Sequence, residues 1–187
     1  LMRTIPGMVV INPCDDTEAR AAVKAAYEYE GPVYLRFGRL AVPVMYDPED
    51  FQFEIGKGIR LKEGNDLTII ATGLEVYESM MAAEQLEKEL GISIEVIDIH
   101  TIKPIDGKLI AESAAKTGKV VTVEEHSVIG GLFSAVSEVL AKECPVKVFP
   151  ISCGDGYGHS GPAVKLLHEY RLDAEGIAEQ IKEFLGK

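Results

Sequence analysis

The fold is decided by Leu67-Thr68-Ile69-Ile70-Ala71, the Thr72-Gly73 step that follows it, and Ile94-Glu95-Val96-Ile97-Asp98-Ile99 further on. The first stretch is nearly all apolar, as expected of a strand that is covered on both faces. Between the two stretches an apolar stripe recurs at helical spacing, and Gly91 stands where this helix should end. The stripe consists of Val76, Met80, Ala83, Leu86 and Leu90. A strand, a helix and a strand in this order predict neighbouring parallel strands.

The same alternation continues toward the C-terminus. Strands are predicted at residues 119–123 and 146–149, and Pro150 places the last of them at or near a sheet edge. Helices are predicted to start at Asp106, Gly130-Gly131, Ser160 and Asp173. On the other side of the deciding segment, Ile59-Arg60-Leu61-Lys62 is predicted to be an edge strand. The fold class is therefore α/β, with three α/β/α layers around a mostly parallel sheet.

A smaller β-α-β unit precedes this part of the chain. Strands are predicted at residues 8–11 and 33–37, joined by a right-handed crossover helix that Asp15 caps. The helix is predicted to present one apolar face, formed by Ala19, Ala22, Val23, Ala26 and Tyr27. Residues 38–50 carry two prolines and little periodicity, so we divide the chain into 1–45, a linker at 46–52, and 53–187. The start, Leu1-Met2-Arg3, runs directly into the first strand, and we interpret it as a chain entered midway.

Composition excludes several classes of protein. Of 187 residues, 19 are Lys or Arg and 30 are Asp or Glu, which gives a formal net charge of −11. Such an acidic chain repels phosphate backbones, so no nucleic-acid partner is expected. No apolar run reaches the ~18 residues of a membrane span, so no membrane association is expected either. The three widely spaced cysteines favour reduced thiols and a cytoplasmic location over disulfides or a zinc site.

No strong local catalytic motif is present, and the glycines at 154, 156 and 158 favour a plain turn over a phosphate-binding loop. Glu124-Glu125-His126 follows a predicted strand, at the edge where ligands bind in α/β sheets. These side chains could act as acid, base or metal ligands, but a polar loop whose side chains bond neighbouring backbone amides or a partner subunit is favoured. His100 also follows a strand, and there too a hydrogen-bonded loop residue is favoured over a site residue.

Arg36 is the most distinctive candidate. It lies in the apolar stretch Tyr34-Leu35-Arg36-Phe37, where a charged guanidinium is costly unless it is paired or faces a polar cleft. Its fork of N–H donors fits a phosphate group. A structural salt bridge would explain the same position equally well, so both interpretations stay open.

Several segments together closely resemble transketolases, above all the split bacterial and archaeal form in which two chains share the enzyme. The similar segments are Val33-Tyr34-Leu35-Arg36-Phe37-Gly38-Arg39, Phe53-Glu54-Ile55-Gly56-Lys57-Gly58, residues 67–73, residues 98–106 and residues 122–132. The resemblance implies that residues 1–45 end a pyrimidine-binding domain and that residues 53–187 form the transketolase C-terminal domain. Phe133 stands where many split transketolases have glycine, so we expect different local packing there.

The resemblance implies an enzyme that uses thiamine diphosphate and a divalent metal to move a two-carbon ketol unit between sugar phosphates. It assigns binding of the substrate phosphate to Arg36, and it gives no catalytic role to Glu124, Glu125 or His126. The family's catalytic glutamate and metal motif lie in parts absent from this chain. We therefore expect the isolated chain to bind no cofactor and to be inactive. Its expected partners are an N-terminal transketolase part and a second copy, in a homodimer formed through the C-terminal domain.

Two other interpretations remain. The same layout occurs in deoxyxylulose-phosphate synthase and in the β chains of 2-oxo-acid dehydrogenases, which are also thiamine enzymes. A non-catalytic assembly or regulatory module is the alternative from a different class.

Overall fold

The structure is a computed structural model that describes all 187 residues. The strands are β1 (Val9–Ile11), β2 (Val33–Leu35), β3 (Ile59–Lys62), β4 (Leu67–Ala71), β5 (Ile94–Asp98), β6 (Thr101–Lys103), β7 (Lys119–Val123) and β8 (Lys147–Ile151). The helices are α1 (Asp16–Glu28), α2 (Glu75–Leu90), α3 (Gly107–Thr117), α4 (Leu132–Glu143), α5 (Ala163–Glu169) and α6 (Ala174–Leu185). A single 3₁₀ turn, Met2–Thr4, precedes them. No helix is both long enough and apolar enough to cross a membrane.

The larger sheet has the strand order β3-β5-β4-β7-β8. All of its neighbours are parallel except β3, which runs antiparallel to β5. Every residue of β4 is buried, because helices cover both faces of the sheet. Alternate strand residues pack against α2 and α6 on one face and against α3 and α4 on the other. The predicted three-layer α/β/α architecture with a mostly parallel sheet is confirmed.

Both strands predicted to lie at a sheet edge do lie at the edges of the larger sheet. β3 lies at one edge of the larger sheet, and β8, which contains Pro150, lies at the other. Pro150 lacks an N–H, and an edge strand has one side on which no donor is needed.

The smaller sheet has the order β2-β1-β6. β1 and β2 are parallel, as predicted, with Val9 opposite Val33 and Ile11 opposite Leu35. The third strand, β6, was not predicted, and it pairs antiparallel with β1. Since β6 follows β5 after two residues, the chain leaves the larger sheet and immediately adds a strand to the smaller one. The two sheets are thus connected by hydrogen bonds as well as by the linker.

Three predicted helix starts are confirmed in detail. The side chains of Asp15, Asp106 and Asp173 accept hydrogen bonds from main-chain N–H groups in the first turns of α1, α3 and α6. These bonds satisfy donors that have no partner within the helix. Gly91 ends α2 in the left-handed conformation, also as predicted, and Gly118 ends α3 in the same way.

Two predictions about helices were wrong. Ser160 does not cap α5, because the chain is extended at Pro162 and the helix begins only at Ala163, beyond reach of the serine hydroxyl. The apolar face of α1 is only partly covered: Ala22 is fully buried, whereas Val23 is 49% and Tyr27 91% exposed. The three-stranded sheet offers α1 a small surface, and the smallest side chains of the stripe occupy it.

Candidate functional site

Arg36 lies one residue beyond the end of β2. Its main-chain N–H still donates to the carbonyl oxygen of Ile11 at 2.8 Å, so the backbone there remains tied to β1. The half-buried guanidinium donates one hydrogen bond, 2.8 Å long, to the main-chain oxygen of Glu125. No ion pair of the chain includes Arg36. The salt-bridge interpretation therefore finds no partner carboxylate within the chain.

Arg36 lines a cleft of about 280 Å³ where the two sheets meet. Four of the lining residues, Asn12, Arg36, Thr72 and Glu124, come directly after β1, β2, β4 and β7. The carboxyl ends of parallel strands from both sheets thus open into one space, which we call the carboxyl-end cleft. In open α/β sheets this edge is where ligands bind. The hydroxyl of Thr72 donates to the main-chain oxygen of Asn12 at 3.3 Å, which links the two sheets beneath the cleft.

Glu124 has a structural task in this cleft. Its side chain is 3% exposed, and its two oxygens accept hydrogen bonds from the N–H groups of Leu132 (2.7 Å) and Phe133 (2.8 Å). These donors open α4, whose N-cap residue Gly131 has no side chain to serve them. Burial raises the pKa of Glu124, while the two N–H donors act in the opposite direction. The predicted bonding to neighbouring backbone amides is confirmed for this residue.

Gly131 is required by this arrangement. A Cβ atom at residue 131 would collide with the Glu124 carboxylate and lie 2.9 Å from Nδ1 of His126. The absence of a side chain at this position therefore lets the carboxylate lie directly against the start of α4.

Glu125 diverges from Glu124 and His126, which both line the carboxyl-end cleft with Nδ1 of His126 3.9 Å from Oε2 of Glu124. The Nδ1 atom of His126 lies 2.9 Å from the main-chain oxygen of Ser127, which can only accept, so Nδ1 carries the proton. The His126 side chain is 41% exposed and lines the carboxyl-end cleft together with Arg36. Glu125 contributes its main-chain oxygen to Arg36, but it lines a neighbouring cleft with Arg39, Cys153 and His159. The triplet therefore forms no single acid–base or metal site.

Comparison with known proteins identifies the family. The sequence model described as the transketolase C-terminal domain matches residues 56–177, and that of the transketolase pyrimidine binding domain matches residues 1–45. The chain belongs to the transketolase family.

The sequences of individual transketolase relatives align with essentially the whole of this chain. A protein of Methanocaldococcus jannaschii described as a transketolase C-terminal section is 48% identical, and the alignment covers 100% of this chain and 58% of the relative. One of the subunits of the apulose-4-phosphate transketolase of Phocaeicola vulgatus is 43% identical over 100% of this chain and 59% of its own length. The chain thus spans a little more than half the length of these relatives. 1-Deoxy-D-xylulose-5-phosphate synthases match too, at 35–38% identity over 28–30% of their length.

A solved transketolase structure has the same fold. It is described as a split gene transketolase, inactive beta4 tetramer, and it superposes with a TM-score of 0.89 at 46% identity. The alignment covers 97% of this chain and 58% of that one.

The remaining sequence candidates lie outside the carboxyl-end cleft. His100 is 1% exposed, its Nδ1 lies 2.8 Å from the hydroxyl of Thr101, and its ring packs on Phe53 with centroids 4.2 Å apart. Burial lowers the pKa of His100 to about 4, so the imidazole is neutral near pH 7. The favoured interpretation of His100 as a hydrogen-bonded loop residue is confirmed.

The glycine-rich loop and the cysteines show no catalytic geometry. His159 of this loop is exposed and lies 2.5 Å from Oε1 of Glu169, and the loop precedes a helix of seven residues. All three cysteines are free. Burial raises the pKa of both Cys14 and Cys153, which opposes formation of a reactive thiolate.

Sequence reasoning missed one buried cluster. Ligand atoms of Cys14, Glu18 and Asp98 all lie within 4.8 Å of one another in the interior. Cys14 and Glu18 are four residues apart around the cap of α1, but Asp98 is 80 residues away in sequence. Only Asp98 gave a local signal, as a carboxylate at the end of a fully buried strand.

The residues of this chain do not fit a diphosphate–metal site. Magnesium prefers carboxylates, carbonyls and water in an open site that also receives phosphate oxygens. The one cluster with metal-ligand spacing instead includes a thiol and is fully buried. The carboxyl-end cleft is lined by two arginines, Arg36 and Arg3, and Arg3 is already paired with Glu138. We therefore derive no step of the reaction through thiamine diphosphate or its metal.

Proposed function

We propose that this chain is the C-terminal part of a thiamine-diphosphate-dependent transketolase that moves a two-carbon ketol unit between sugar phosphates. It would act together with an N-terminal part that supplies the cofactor site. Two facts support this division. The relatives described as a C-terminal section and as one transketolase subunit are longer than this chain. The match to the pyrimidine binding domain covers only residues 1–45.

The position of Arg36 carries the proposal. Its guanidinium offers five N–H donors, and one of them donates a hydrogen bond to the main-chain oxygen of Glu125. It lies in a cleft where the carboxyl ends of two sheets meet. It forms no ion pair within the chain, and its charge acts on the nearby Glu124 carboxyl only enough to oppose the rise in that group's pKa. A phosphate group would supply acceptor oxygens in the bidentate geometry that a guanidinium prefers. Arg36 is therefore assigned to the phosphate end of the sugar substrate.

Reconstitution tests the proposed function. The chain is mixed with an N-terminal transketolase part that contains everything upstream of it, including the remainder of the pyrimidine-binding domain, together with thiamine diphosphate and magnesium. Transfer of the ketol unit between sugar phosphates is then followed. Activity that needs both parts is the expected result. Lack of transfer by a stable complex of the two parts would contradict the assignment to a transketolase.

Alone, the chain is proposed to bind no thiamine diphosphate. Isothermal titration of the 187-residue chain with cofactor and magnesium at about millimolar concentration should give no saturable heat, since at that concentration even weak sites of about −4 kcal/mol fill. A micromolar dissociation constant would show that the chain carries a cofactor site of its own. The proposed homodimer through the C-terminal domain is tested by the mass of the same sample in solution.

A second candidate is favoured by the synthase relatives. Their 35–38% identity extends over 97–99% of this chain, so the chain could belong to a related thiamine enzyme that makes 1-deoxy-D-xylulose 5-phosphate. The reconstituted enzyme is therefore also assayed for that product. Its formation, without ketol transfer between sugar phosphates, would favour the second candidate.

A further inference from the structure

Two acidic side chains from distant parts of the chain meet in the interior beside a thiol. Glu18 lies in the first turn of α1, Asp98 ends β5, and Cys14 precedes the cap of α1. Glu18 and Asp98 are each 0% exposed. Their ligand atoms and the Cys14 sulfur lie within 4.8 Å of one another. The cluster therefore joins the smaller β-α-β unit to the larger sheet.

Hydrogen bonds account for only one oxygen of each carboxyl group. Oε2 of Glu18 accepts from the main-chain N–H of Cys14 at 2.7 Å, and Oδ2 of Asp98 accepts from the hydroxyl of Tyr46 at 2.8 Å. The other oxygens, Oε1 of Glu18 and Oδ1 of Asp98, are buried and have no donor. A buried polar atom without a partner is costly, and these two atoms belong to carboxyl groups that approach within 4.8 Å of each other, so they need a common explanation.

The surroundings supply no positive charge. The titratable groups that face the pair are Cys14 and Asp15 from the segment before α1 and Tyr46 from the linker, and all three are acids. No ion pair of the chain includes Glu18 or Asp98. Asp15 already accepts hydrogen bonds from the N–H groups of Glu18, Met45 and Tyr46. Two full negative charges at this spacing in the interior would repel strongly.

We propose that Glu18 and Asp98 share one proton in the folded chain, with Oε1–H of Glu18 donating to Oδ1 of Asp98, and that this proton makes the junction of the two sheets sensitive to pH. One proton satisfies both orphaned oxygens and removes one of the two charges. Tyr46, which donates to the other oxygen of Asp98, brings the linker into the same junction.

The direction of the pH effect follows from the environment. Burial, and next the charge of Asp98, raise the pKa of Glu18 to about 10, and burial raises the pKa of Asp98 to about 6 against the Tyr46 hydrogen bond. The unfolded chain loses the glutamate proton near its ordinary pKa of about 4.3. Above about pH 6, where Asp98 has lost its own proton, and below about pH 10, the folded state holds one proton more than the unfolded state. Stabilisation by this proton is complete below the ordinary pKa and is lost as pH rises toward 10.

Unfolding of the full 187-residue chain in urea measures this linkage. Each unit rise from about pH 6 to about pH 8 should raise the unfolding equilibrium constant about tenfold through this proton alone. Glu18→Gln replaces the shared proton by an amide N–H and should remove that tenfold component. Asp98→Asn removes the neighbouring charge and offers an amide N–H to Glu18 but leaves Glu18 buried, so it should reduce the component without abolishing it. Because only one proton is shared, the double variant should remove no more than Glu18→Gln.

Two controls separate this proposal from general loss of stability. Tyr46→Phe deletes a hydrogen bond of the same junction but leaves the shared proton, so it should destabilise the chain while keeping the full pH dependence. The infrared spectrum of the wild-type chain at about pH 8 should contain the carbonyl band of a protonated carboxylic acid, and Glu18→Gln should reduce it.

Three results would overturn the proposal. In the first, both single variants keep the wild-type pH dependence. In the second, the spectrum of the wild type equals that of Glu18→Gln. In the third, the purified chain holds about one zinc ion that Cys14→Ser removes, because Cys14, Glu18 and Asp98 would then be metal ligands.

Discussion

Charged side chains form ion pairs at one end of the larger sheet, whereas an arginine at the other end has no ion-pair partner. At the amino ends of β4 and β5, the fully buried Glu95 accepts from Arg60 at 2.5 Å, Lys116 at 2.7 Å and the hydroxyl of Thr68 at 3.0 Å. Glu63 joins from the surface, and we call these five residues the amino-end network. At the opposite end, Arg36 borders the carboxyl-end cleft without an ion-pair partner.

This difference separates stabilisation from binding. An arginine whose donors are all satisfied within the chain holds the fold and has little left for a ligand. An arginine with free donors in a cleft adds little to stability and can bind an anion. Arg60 and Arg36 represent these two cases in one molecule, and the following predictions test the contrast from the largest expected effect to the smallest.

Glu95→Ala should cause the largest loss. It removes the acceptor shared by Arg60, Lys116 and Thr68, and breaking a buried pair from one side costs roughly 3–5 kcal/mol. We expect about 3 kcal/mol in the free energy of unfolding, because Arg60 and Lys116 keep 31% of their side chains exposed to water. Urea unfolding measures this loss.

Glu63→Ala is the matched control within the amino-end network. The Glu63 side chain is 71% exposed, so its loss should lower the free energy of unfolding far less than the loss of Glu95 does. Equal losses in the two variants would contradict the view that burial of Glu95 makes the network stabilising.

Gly131→Ala should have the next largest effect. The new Cβ displaces the Glu124 carboxylate from the start of α4, and forced overpacking of this kind costs roughly 1–3 kcal/mol. Gly158→Ala is the control, since nothing lies within 4 Å of a Cβ at that position. The melting temperatures of the two variants give the comparison, and a neutral Gly131→Ala would mean that Glu124 is not held as described.

A smaller effect is expected in amide hydrogen exchange, in which the two sheets should differ in rate. The main cluster on one face of the larger sheet contains 17 buried apolar residues, while the cluster under α1 contains three. Amides of Leu67–Ala71 should therefore exchange more slowly than those of Val9–Ile11. The reverse order in the isolated chain would show that the smaller sheet, and not the larger one, is the more stable part.

The sequence predicted the elements whose evidence is local. The apolar runs of β4, β5 and β7 and the caps at Asp106 and Asp173 each carry their own signal within a few residues. Arg36 could be found for the same reason, because a charge beside Leu35 and Phe37 is anomalous without any knowledge of the fold.

What the sequence did not predict depends on contacts between distant residues. Thr101–Lys103 becomes a strand because β1, some 90 residues earlier, offers it a free edge. The approach of Glu18 to Asp98 likewise arises only when α1 is placed against the end of β5. The partner of Glu124 could not be identified either, since two adjacent acids and a histidine look alike until α4 is positioned.

Substitution of Arg36 in the assembled enzyme tests the central claim most directly. Arg36→Ala should lower kcat/KM for phosphorylated sugars about 10- to 150-fold, mainly through KM, because a hydrogen bond to a charged group contributes roughly 1.5–3 kcal/mol. Unphosphorylated acceptors should be affected far less, and the exposed neighbour provides a control variant, Arg39→Ala. The free energy of unfolding should change by only about 1 kcal/mol, since Arg36 makes one side-chain hydrogen bond within the chain. A strongly lowered melting temperature with an unchanged ratio between the two substrate classes would contradict the account and make Arg36 a structural residue.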